Sequence, residues 1–246
     1  MKAFLKQLTI QIRMDARDKG TFLVFYIVPL VFYGVMGAVF SSINPQMKQT
    51  LSATMAIFSV TMGAMLGLPP TLVKLREANV LRAYRINGIP GTSVLLSVGI
   101  SALLHLSVVS LLISFSAPIF FGAKMPPHAG GFAAALIMLL LCNVSLGLLI
   151  GVFAKNQAAA VMFSQAVFLP SVMLSGMMFP ASMLPEPLMY LGRILPATHA
   201  TQAFSGLAYE LAPDFSAPLA LLIMLGIGLA AAAATAWRFG KITQVS

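Results

Sequence analysis

The sequence predicts an all-α integral membrane protein with six transmembrane helices, and three observations support this prediction. Of the 246 residues, 59% are hydrophobic and only 9% are charged, and the mean hydropathy is +0.93. A soluble protein of this length could not cover its surface with so few charges. Six stretches without acidic or basic residues can each hold the roughly 20 apolar residues that cross a bilayer as a helix. Their continuous apolar character excludes the alternating strands of a membrane barrel.

The predicted spans follow one another with short connections. We place them at Phe22–Phe40, Leu51–Pro70, Ser93–Phe121, Phe132–Phe153, Ala158–Phe179 and Ala217–Trp237. A seventh apolar window, Ile194–Tyr209, is too short to cross a bilayer and contains a proline and several polar side chains. We therefore expect this window to dip into the membrane surface, and we expect no soluble domain anywhere in residues 1–246.

The basic residues fall in the connections between spans, where they indicate orientation rather than a nucleic-acid partner. A cytoplasmic N-terminus puts twelve of the fifteen inside and only Lys48, Lys124 and Arg193 outside. The twelve are Lys2, Lys6, Arg13, Arg17, Lys19, Lys74, Arg76, Arg82, Arg85, Lys155, Arg238 and Lys241. Six spans return the C-terminus to the cytoplasm, so the predicted topology is N-in/C-in.

Residues 1–20, "MKAFLKQLTIQIRMDARDKG", precede the first span and predict an amphipathic helix. At 100° per residue, apolar side chains share one face and basic side chains share the opposite face. The apolar set is Phe4, Leu5, Leu8 and Ile12, the basic set is Lys2, Lys6, Arg13 and Arg17, and the exceptions are Ile10 and Met14. We expect this helix to lie on the cytoplasmic leaflet.

No motif in the chain predicts catalysis. The sequence lacks the G-x-x-x-x-G-K-[ST] loop that holds nucleotide phosphates, and it lacks the H-E-x-x-H and G-x-S-x-G patterns of hydrolases. All six acidic residues lie in predicted connections, so no span carries paired carboxylates. Cys142, the only cysteine, predicts a small buried side chain. We expect no metal, no cofactor and no ATPase site on this chain, so ATP hydrolysis would occur on a partner.

Three strongly polar side chains lie inside the predicted spans: His105, Asn143 and Gln165. Each is a candidate for lining a substrate route, although hydrogen bonding between helices explains such residues more often. His105 would be the best proton carrier, but the sequence pairs it with no intramembrane carboxylate. This lack disfavours an alternative function, a secondary carrier or channel driven by an ion gradient. An integral-membrane enzyme is disfavoured by the absence of clustered acids or histidines.

The connection between the second and third spans concentrates charge. The stretch "PPTLVKLREANVLRAYRINGIP", residues 69–90, holds five of the 21 charged side chains. As a single helix, it would place an apolar face opposite Lys74, Glu77, Arg82 and Arg85. A solvated loop that only fixes topology is the simpler interpretation, whereas an amphipathic helix suits docking in a cleft of a soluble partner.

Two motifs resemble the membrane subunits, or permeases, of type-2 ABC transporters, the ABC-2 exporter family. "LREANVLRAYRINGIPGTSVLLS" is similar to the family's R-E pair followed by an apolar and a basic residue and a proline that opens the third span. "SGMMFPASMLPEPLMYLGRILPATHATQAF" is similar to the family's series of glycine, Phe-Pro, Leu-Pro and Leu-Pro-x-Thr after the fifth span. The chain departs from the family at Ala78, Asn79 and Val80, and again at Gln202 and Ser205.

The resemblance implies a function and a set of partners. It implies a dimer of permeases bound to two ATP-binding subunits, with ATP and Mg²⁺ held by those subunits and with segment 71–90 as the coupling loop. The coupling residues it implies are Arg76, Glu77, Leu81 and Arg82. It also implies short re-entrant helices in segment 180–215 on the outer side, where Pro180, Pro185 and Pro196 interrupt helices.

Together these features predict an exporter permease in the plasma (inner) membrane of a bacterium. The short loops and apolar spans favour a hydrophobic or amphipathic substrate such as a drug, lipid or peptide.

Overall fold

The computed structural model describes residues 2–43, 47–78, 80–178 and 183–245, and these residues form helices without any strand. Twelve α-helices and two π-helical segments follow in this order. They are α1 (Lys2–Arg17), α2 (Lys19–Phe22), a π segment (Leu23–Ile27), α3 (Val28–Ile43), α4 (Met47–Met62), a second π segment (Gly63–Gly67), α5 (Leu68–Glu77), α6 (Val80–Ile86), α7 (Gly91–Phe121), α8 (Ala129–Phe153), α9 (Gln157–Leu174), α10 (Glu186–Gly192), α11 (Pro196–Ala208) and α12 (Ala217–Val245).

Six helical stretches of the described chain are long and apolar enough to cross a membrane, which confirms the predicted number. They are Lys19–Ser42, Lys48–Glu77, Gly91–Phe121, Ala129–Phe153, Gln157–Leu174 and Ala217–Lys241, called here the first to sixth spans. Two predicted ends were wrong. The second span continues seven residues beyond Pro70 to Glu77, and the fifth span ends at Leu174 rather than Phe179.

Proline does not end the second span because a π segment comes directly before it. Pro69 and Pro70 lie in the first turn of α5, immediately after Gly63–Gly67. In the first turn of a helix a missing N–H leaves no hydrogen bond unmade. The first span repeats this arrangement, since Pro29 follows Leu23–Ile27. The two π segments contact each other, so the two spans change their helical winding at the same level.

The second span is the centre of the bundle. In its most apolar 18-residue window, 89% of the residues are buried. It packs on α7, α8, α9, α11 and the first span. Its buried side chains include Leu51, Ile57, Met65, Leu68 and Leu72. The fold is therefore arranged around one helix that has almost no free face.

Glycine allows the spans to approach closely. A Cβ at Gly147 would overlap with the backbone oxygen of Ala64, and a Cβ at Gly151 would lie 3.1 Å from Leu72. Both glycines therefore place α8 directly on the second span. Gly67 faces the Phe25 ring of the first span in the same way, and Gly63 faces the Leu106 side chain of α7. These two G-x-x-x-G pairs are used for packing inside the chain.

Segment 180–215 contains two helices after the undescribed residues 179–182. Pro185 precedes α10 and Pro196 begins α11, as proline does at helix starts. Helix α11 packs on α4, α8 and α12 and buries His199, Gln202 and Phe204. Its 13 residues span about 20 Å, too short to cross a bilayer. Pro180 lies outside the described residues.

The charged groups collect at the two ends of the bundle. At one end, the last turn of α5 meets the α8–α9 turn, the α1–α2 corner and the end of α12. At the other end, the Lys124 amide donates to the Lys48 carbonyl over 3.2 Å, and His128 lies 2.5 Å from Glu210. Which end faces the cytoplasm stays a prediction from the excess of basic residues.

Candidate functional site

The Arg76 side chain of α5 contacts the C-terminal end of α8. Its Nη1 donates to the Val152 carbonyl over 3.0 Å, and its Nη2 donates to the carbonyls of Ala154 and Lys155. Carbonyl groups at a helix end have no partner within the helix, and a cation there is favoured by the helix dipole. The half-buried guanidinium therefore fastens the second span to the end of the fourth.

Glu77 is exposed beside Arg76 and reaches the start of the fifth span. Gln157 donates to its carboxylate through Nε2 over 3.1 Å. The fifth span begins there because the Asn156 side chain accepts the Ala159 amide over 2.8 Å as an N-cap. We call Arg76, Glu77, Ala154, Lys155 and Gln157 the α5–α8 junction. It joins the ends of three spans.

The sequence suggested that the charged stretch 69–90 is one helix, but the structure divides it into two. Helix α5 ends at Glu77, where Ala78 has φ −76° and ψ 7°, and helix α6 begins at Val80. The first half of the stretch is instead the end of the second span, with Leu72, Val73 and Leu75 buried. Leu81 and Arg82 belong to α6, but their side chains lie outside the described structure, so their coupling role stays a prediction.

The α1–α2 corner is tied to the same end of the second span. Lys74 Nζ lies 3.0 Å from Asp18 Oδ2, and Asp18 Oδ1 accepts the Thr21 amide as the N-cap of α2. The Thr21 amide and then Lys74 lower the pKa of Asp18 to about 2. The Asp18 carboxylate is therefore ionised at neutral pH and links the N-terminal helices to α5.

His105 is buried in α7 and contacts the π segment of the first span. Its Nδ1 lies 2.7 Å from the Tyr26 hydroxyl, and its Nε2 has no hydrogen-bond partner among the described residues. The Tyr26 and Phe25 rings lie beside the imidazole.

Asn143 and Gln165 lie in different surroundings. Asn143 is 1% exposed and donates to the Leu139 carbonyl of its own helix over 3.0 Å. Gln165 is exposed on α9, among apolar side chains that this chain leaves uncovered. No hydrogen bond joins His105, Asn143 and Gln165 in the described structure. The chain by itself therefore does not assemble them into one polar site.

Sequence reasoning missed a polar contact between α1 and the third span. Asp15 Oδ2 accepts the Ser101 hydroxyl over 2.6 Å, and its Oδ1 accepts Gln11 Nε2 over 2.8 Å. Burial raises the pKa of Asp15, although the hydrogen bonds from Ser101 and Gln11 lower it. The signal was present, because Gln7, Gln11 and Asp15 are four residues apart and therefore share one helix face.

This polar face is the buried side of α1, whereas Leu5, Ile10 and Met14 are exposed. The predicted apolar side chains Phe4, Leu8 and Ile12 are half-buried at its edge. The position of α1 on a leaflet surface stays a prediction.

Comparison with known proteins gives the family. The family model described as ABC-2 type transporter matches residues 6–209. ABC transporter G family member 20 of Dictyostelium discoideum is 34% identical over 80 residues, which cover 31% of this chain and 11% of that protein. The alignment thus spans about a tenth of that relative. Because the family match covers most of the chain and the fold has six candidate spans, this chain belongs to the ABC-2 type transporter family of membrane permeases.

Proposed function

We propose that this chain is the permease subunit of an ATP-driven exporter and that the α5–α8 junction receives movement from a separate ATP-binding subunit. The observation that carries this proposal is the convergence of three spans at Arg76 and Glu77. Arg76 is held by the end of the fourth span, and Glu77 contacts the start of the fifth. A push on this point would act on several spans at once.

The two residues would then have different roles. Arg76 donates its hydrogen bonds to carbonyls of its own chain, at the end of α8. Glu77 is exposed and accepts only one long hydrogen bond, from Gln157, among the described contacts. Glu77 is therefore the member of the pair that is free to meet a basic group of the ATPase.

The experiment that tests this proposal is purification of the tagged chain from its native membrane in mild detergent. We expect a nucleotide-binding subunit to copurify, and we expect Glu77→Lys to lose it while still inserting in the membrane. Glu186→Lys makes the same charge change at an exposed residue near the other end of the bundle and should keep the subunit. Retention of the ATPase in Glu77→Lys would contradict the docking role.

We place the translocation route at the exposed face of α9, against a second permease copy. Five large apolar side chains are exposed on this helix together with the Gln165 amide: Val161, Met162, Phe163, Leu169 and Met173. An unpaired amide that faces lipid is unfavourable, whereas it is satisfied at a helix interface or in a water-filled route. The exposed Gln165 therefore favours a protein or water neighbour over lipid.

The remaining assignments follow from this role. Export of a hydrophobic or amphipathic compound fits a chain with short loops, and two ATP-binding subunits would serve two permease copies. The excess of basic residues at the end that carries Arg76 favours a cytoplasmic position for both termini in the plasma membrane. In this arrangement α1 lies on the cytoplasmic leaflet, and α10 and α11 are re-entrant from the outer side.

A further inference from the structure

The Asp15 carboxylate is buried without a cationic partner. The residue is 6% exposed, and both of its oxygens accept hydrogen bonds from neutral groups, Ser101 and Gln11. No lysine or arginine of the described structure forms a salt bridge with it. A buried charge is costly unless an opposite charge or several hydrogen bonds compensate for it. Asp15 has the hydrogen bonds but lacks the opposite charge.

A cavity of about 700 Å³ opens beside this carboxylate. Asp15, Gln11 and Thr21 contribute polar groups, whereas Val24, Leu66 and Leu75 contribute apolar walls. Its volume lies in the range of cavities that bind drug-sized molecules. The cavity therefore combines a buried negative group with an apolar surface large enough for a hydrocarbon or aromatic body.

The other charged groups on the cavity wall leave Asp15 uncompensated. Lys74 is neutralised by Asp18 at 3.0 Å. Arg17 is exposed, so water and salt screen its charge. Glu77 and Lys155 belong to the α5–α8 junction and do not line the cavity. His105 of α7 and Asp18 are the remaining titratable neighbours of Asp15, and besides burial the like charge of Asp18 contributes to the raised pKa of Asp15.

From this arrangement we infer that the cavity between α1, the first span and α5 binds an amphipathic cation, with its positive group at Asp15 and its apolar part against Val24, Leu66 and Leu75. The ligand supplies the positive charge that no lysine or arginine of the described structure provides to Asp15. A ligand with the same apolar body but no positive charge gains the apolar contacts alone and binds more weakly.

Protons compete with such a ligand at Asp15. Burial raises the pKa of Asp15, so acidification neutralises this carboxylate at a higher pH than an exposed one. Affinity for the cation is therefore highest at neutral pH and falls as the pH decreases.

The test measures binding of rhodamine 6G, a permanent amphipathic cation, to the full chain in lipid nanodiscs by fluorescence polarisation, with empty nanodiscs subtracted. We expect Asp15→Asn, which keeps the side-chain shape, to weaken binding about tenfold, the effect of losing one charge-assisted contact. Glu186→Gln removes an acidic charge outside the cavity and should leave the dissociation constant unchanged. Equal affinity of the wild type and Asp15→Asn would overturn the inference.

Two further measurements do not depend on the folding of Asp15→Asn. Leu66→Trp fills part of the cavity and should also weaken binding. In the wild type, the affinity should decrease between pH 7 and pH 4, because protonation of Asp15 removes the negative charge that binds the cation. Binding that is independent of pH and unchanged by Leu66→Trp would overturn the inference as well.

As a substrate site, the cavity depends on the proposed export function, since only transport makes a bound cation a substrate. The two proposals fail separately. If rhodamine 6G binds equally well to the wild type and to Asp15→Asn while the ATPase still copurifies, only the cation site is contradicted. Cation binding without any copurifying ATPase contradicts the exporter proposal alone.

Discussion

The second and fifth spans are both apolar helices, but they use their surfaces in opposite ways. In the most apolar window of each, 89% of the residues are buried in Lys48–Glu77 and 28% in Gln157–Leu174. Gln165 marks a further difference between the spans, although the fifth span also buries Ser164 and Ser171 on its packed side. Ser52, Ser59 and Thr61 of the second span are buried among other helices, whereas Gln165 of the fifth span is exposed.

This difference teaches that apolar composition alone does not identify a core in a membrane protein. Lipid is as apolar as leucine, so a span is held in place by packing, close approach and hydrogen bonds. The second span has all three of these. The fifth span has one packed side, and its uncovered side is available for a second copy and a substrate. Variants of the two spans should therefore respond differently.

The close approach of the fourth and second spans should be the feature of the fold that is most sensitive to substitution. Gly147→Val puts a branched side chain into the backbone of Ala64, so we expect a loss of about 3 kcal/mol or failure to fold. Gly226→Val is the control, because a Cβ at Gly226 meets nothing within 4 Å. Thermal unfolding in detergent measures both variants. Equal stability of the two would mean that the spans do not approach in this way.

Replacing one leucine in each span by alanine should show that the second span is packed more tightly than the fifth. Leu68 in the second span is 1% exposed, and Leu169 in the fifth span is 55% exposed. Leu68→Ala should cost about 2–5 kcal/mol through the cavity it leaves, whereas Leu169→Ala should cost less than about 1 kcal/mol in the isolated chain. Unfolding in a series of detergent mixtures compares them. A larger loss for Leu169→Ala would reverse the assignment of the core.

Substitution of Arg76 should reduce the stability of the fold, whereas substitution of Glu77 should abolish coupling to the ATPase. Arg76→Gln leaves carbonyls at the end of α8 without their cation, and we expect a loss of about 2 kcal/mol. Glu77→Lys changes an exposed residue and should leave the unfolding temperature almost unchanged while it abolishes ATP-dependent transport. Thermal unfolding and transport are measured on the same preparations. A stable Arg76→Gln variant would remove the structural role given to this guanidinium.

The smallest effect concerns the link between the α1–α2 corner and the second span. The pKa of Asp18 is lowered from 3.8 to about 2, so its stabilising contribution is present above pH 4 and is lost as the pH falls towards 2. Because the Asp18–Lys74 pair is exposed to solvent, we expect less than about 1 kcal/mol. Stability measured against pH should fall less in Asp18→Asn than in the wild type. Identical curves would show that the pair contributes nothing.

Much of the fold could be predicted from the sequence, because each span is a long charge-free stretch with a strong signal. The six spans and Cys142 as a buried residue are confirmed. The end of the second span was wrong because Pro69 and Pro70 indicate a helix end, and no sequence rule applied here anticipated the π segment before them. The segment lies against the Phe25 ring of the first span, and this tertiary contact cannot be predicted from the local sequence.

The candidate site was less accessible to sequence reasoning. The pair Arg76–Glu77 could be selected by charge and resemblance, but Arg76 bonds to backbone carbonyls and Glu77 to the Gln157 side chain, all about 80 residues away. Asp15 was assigned to a predicted connection, within the amphipathic helix expected at residues 1–20. Its burial results from the docking of α1 on α7, which brings it to Ser101, 86 residues further along. The spacing of Gln7, Gln11 and Asp15 indicates a polar face on α1, but nothing in the sequence indicates that Ser101 of α7 covers that face.

The measurement that tests the account most directly is disulfide crosslinking at the exposed face of the fifth span. Gln165→Cys and Ser59→Cys would each be made in a Cys142→Ala chain and oxidised in native membranes, with and without a non-hydrolysable ATP analogue. The account predicts a crosslinked dimer at position 165, with a yield that changes when the analogue binds, and no dimer at position 59. A monomer at position 165 under both conditions, or a dimer indifferent to nucleotide, would contradict it.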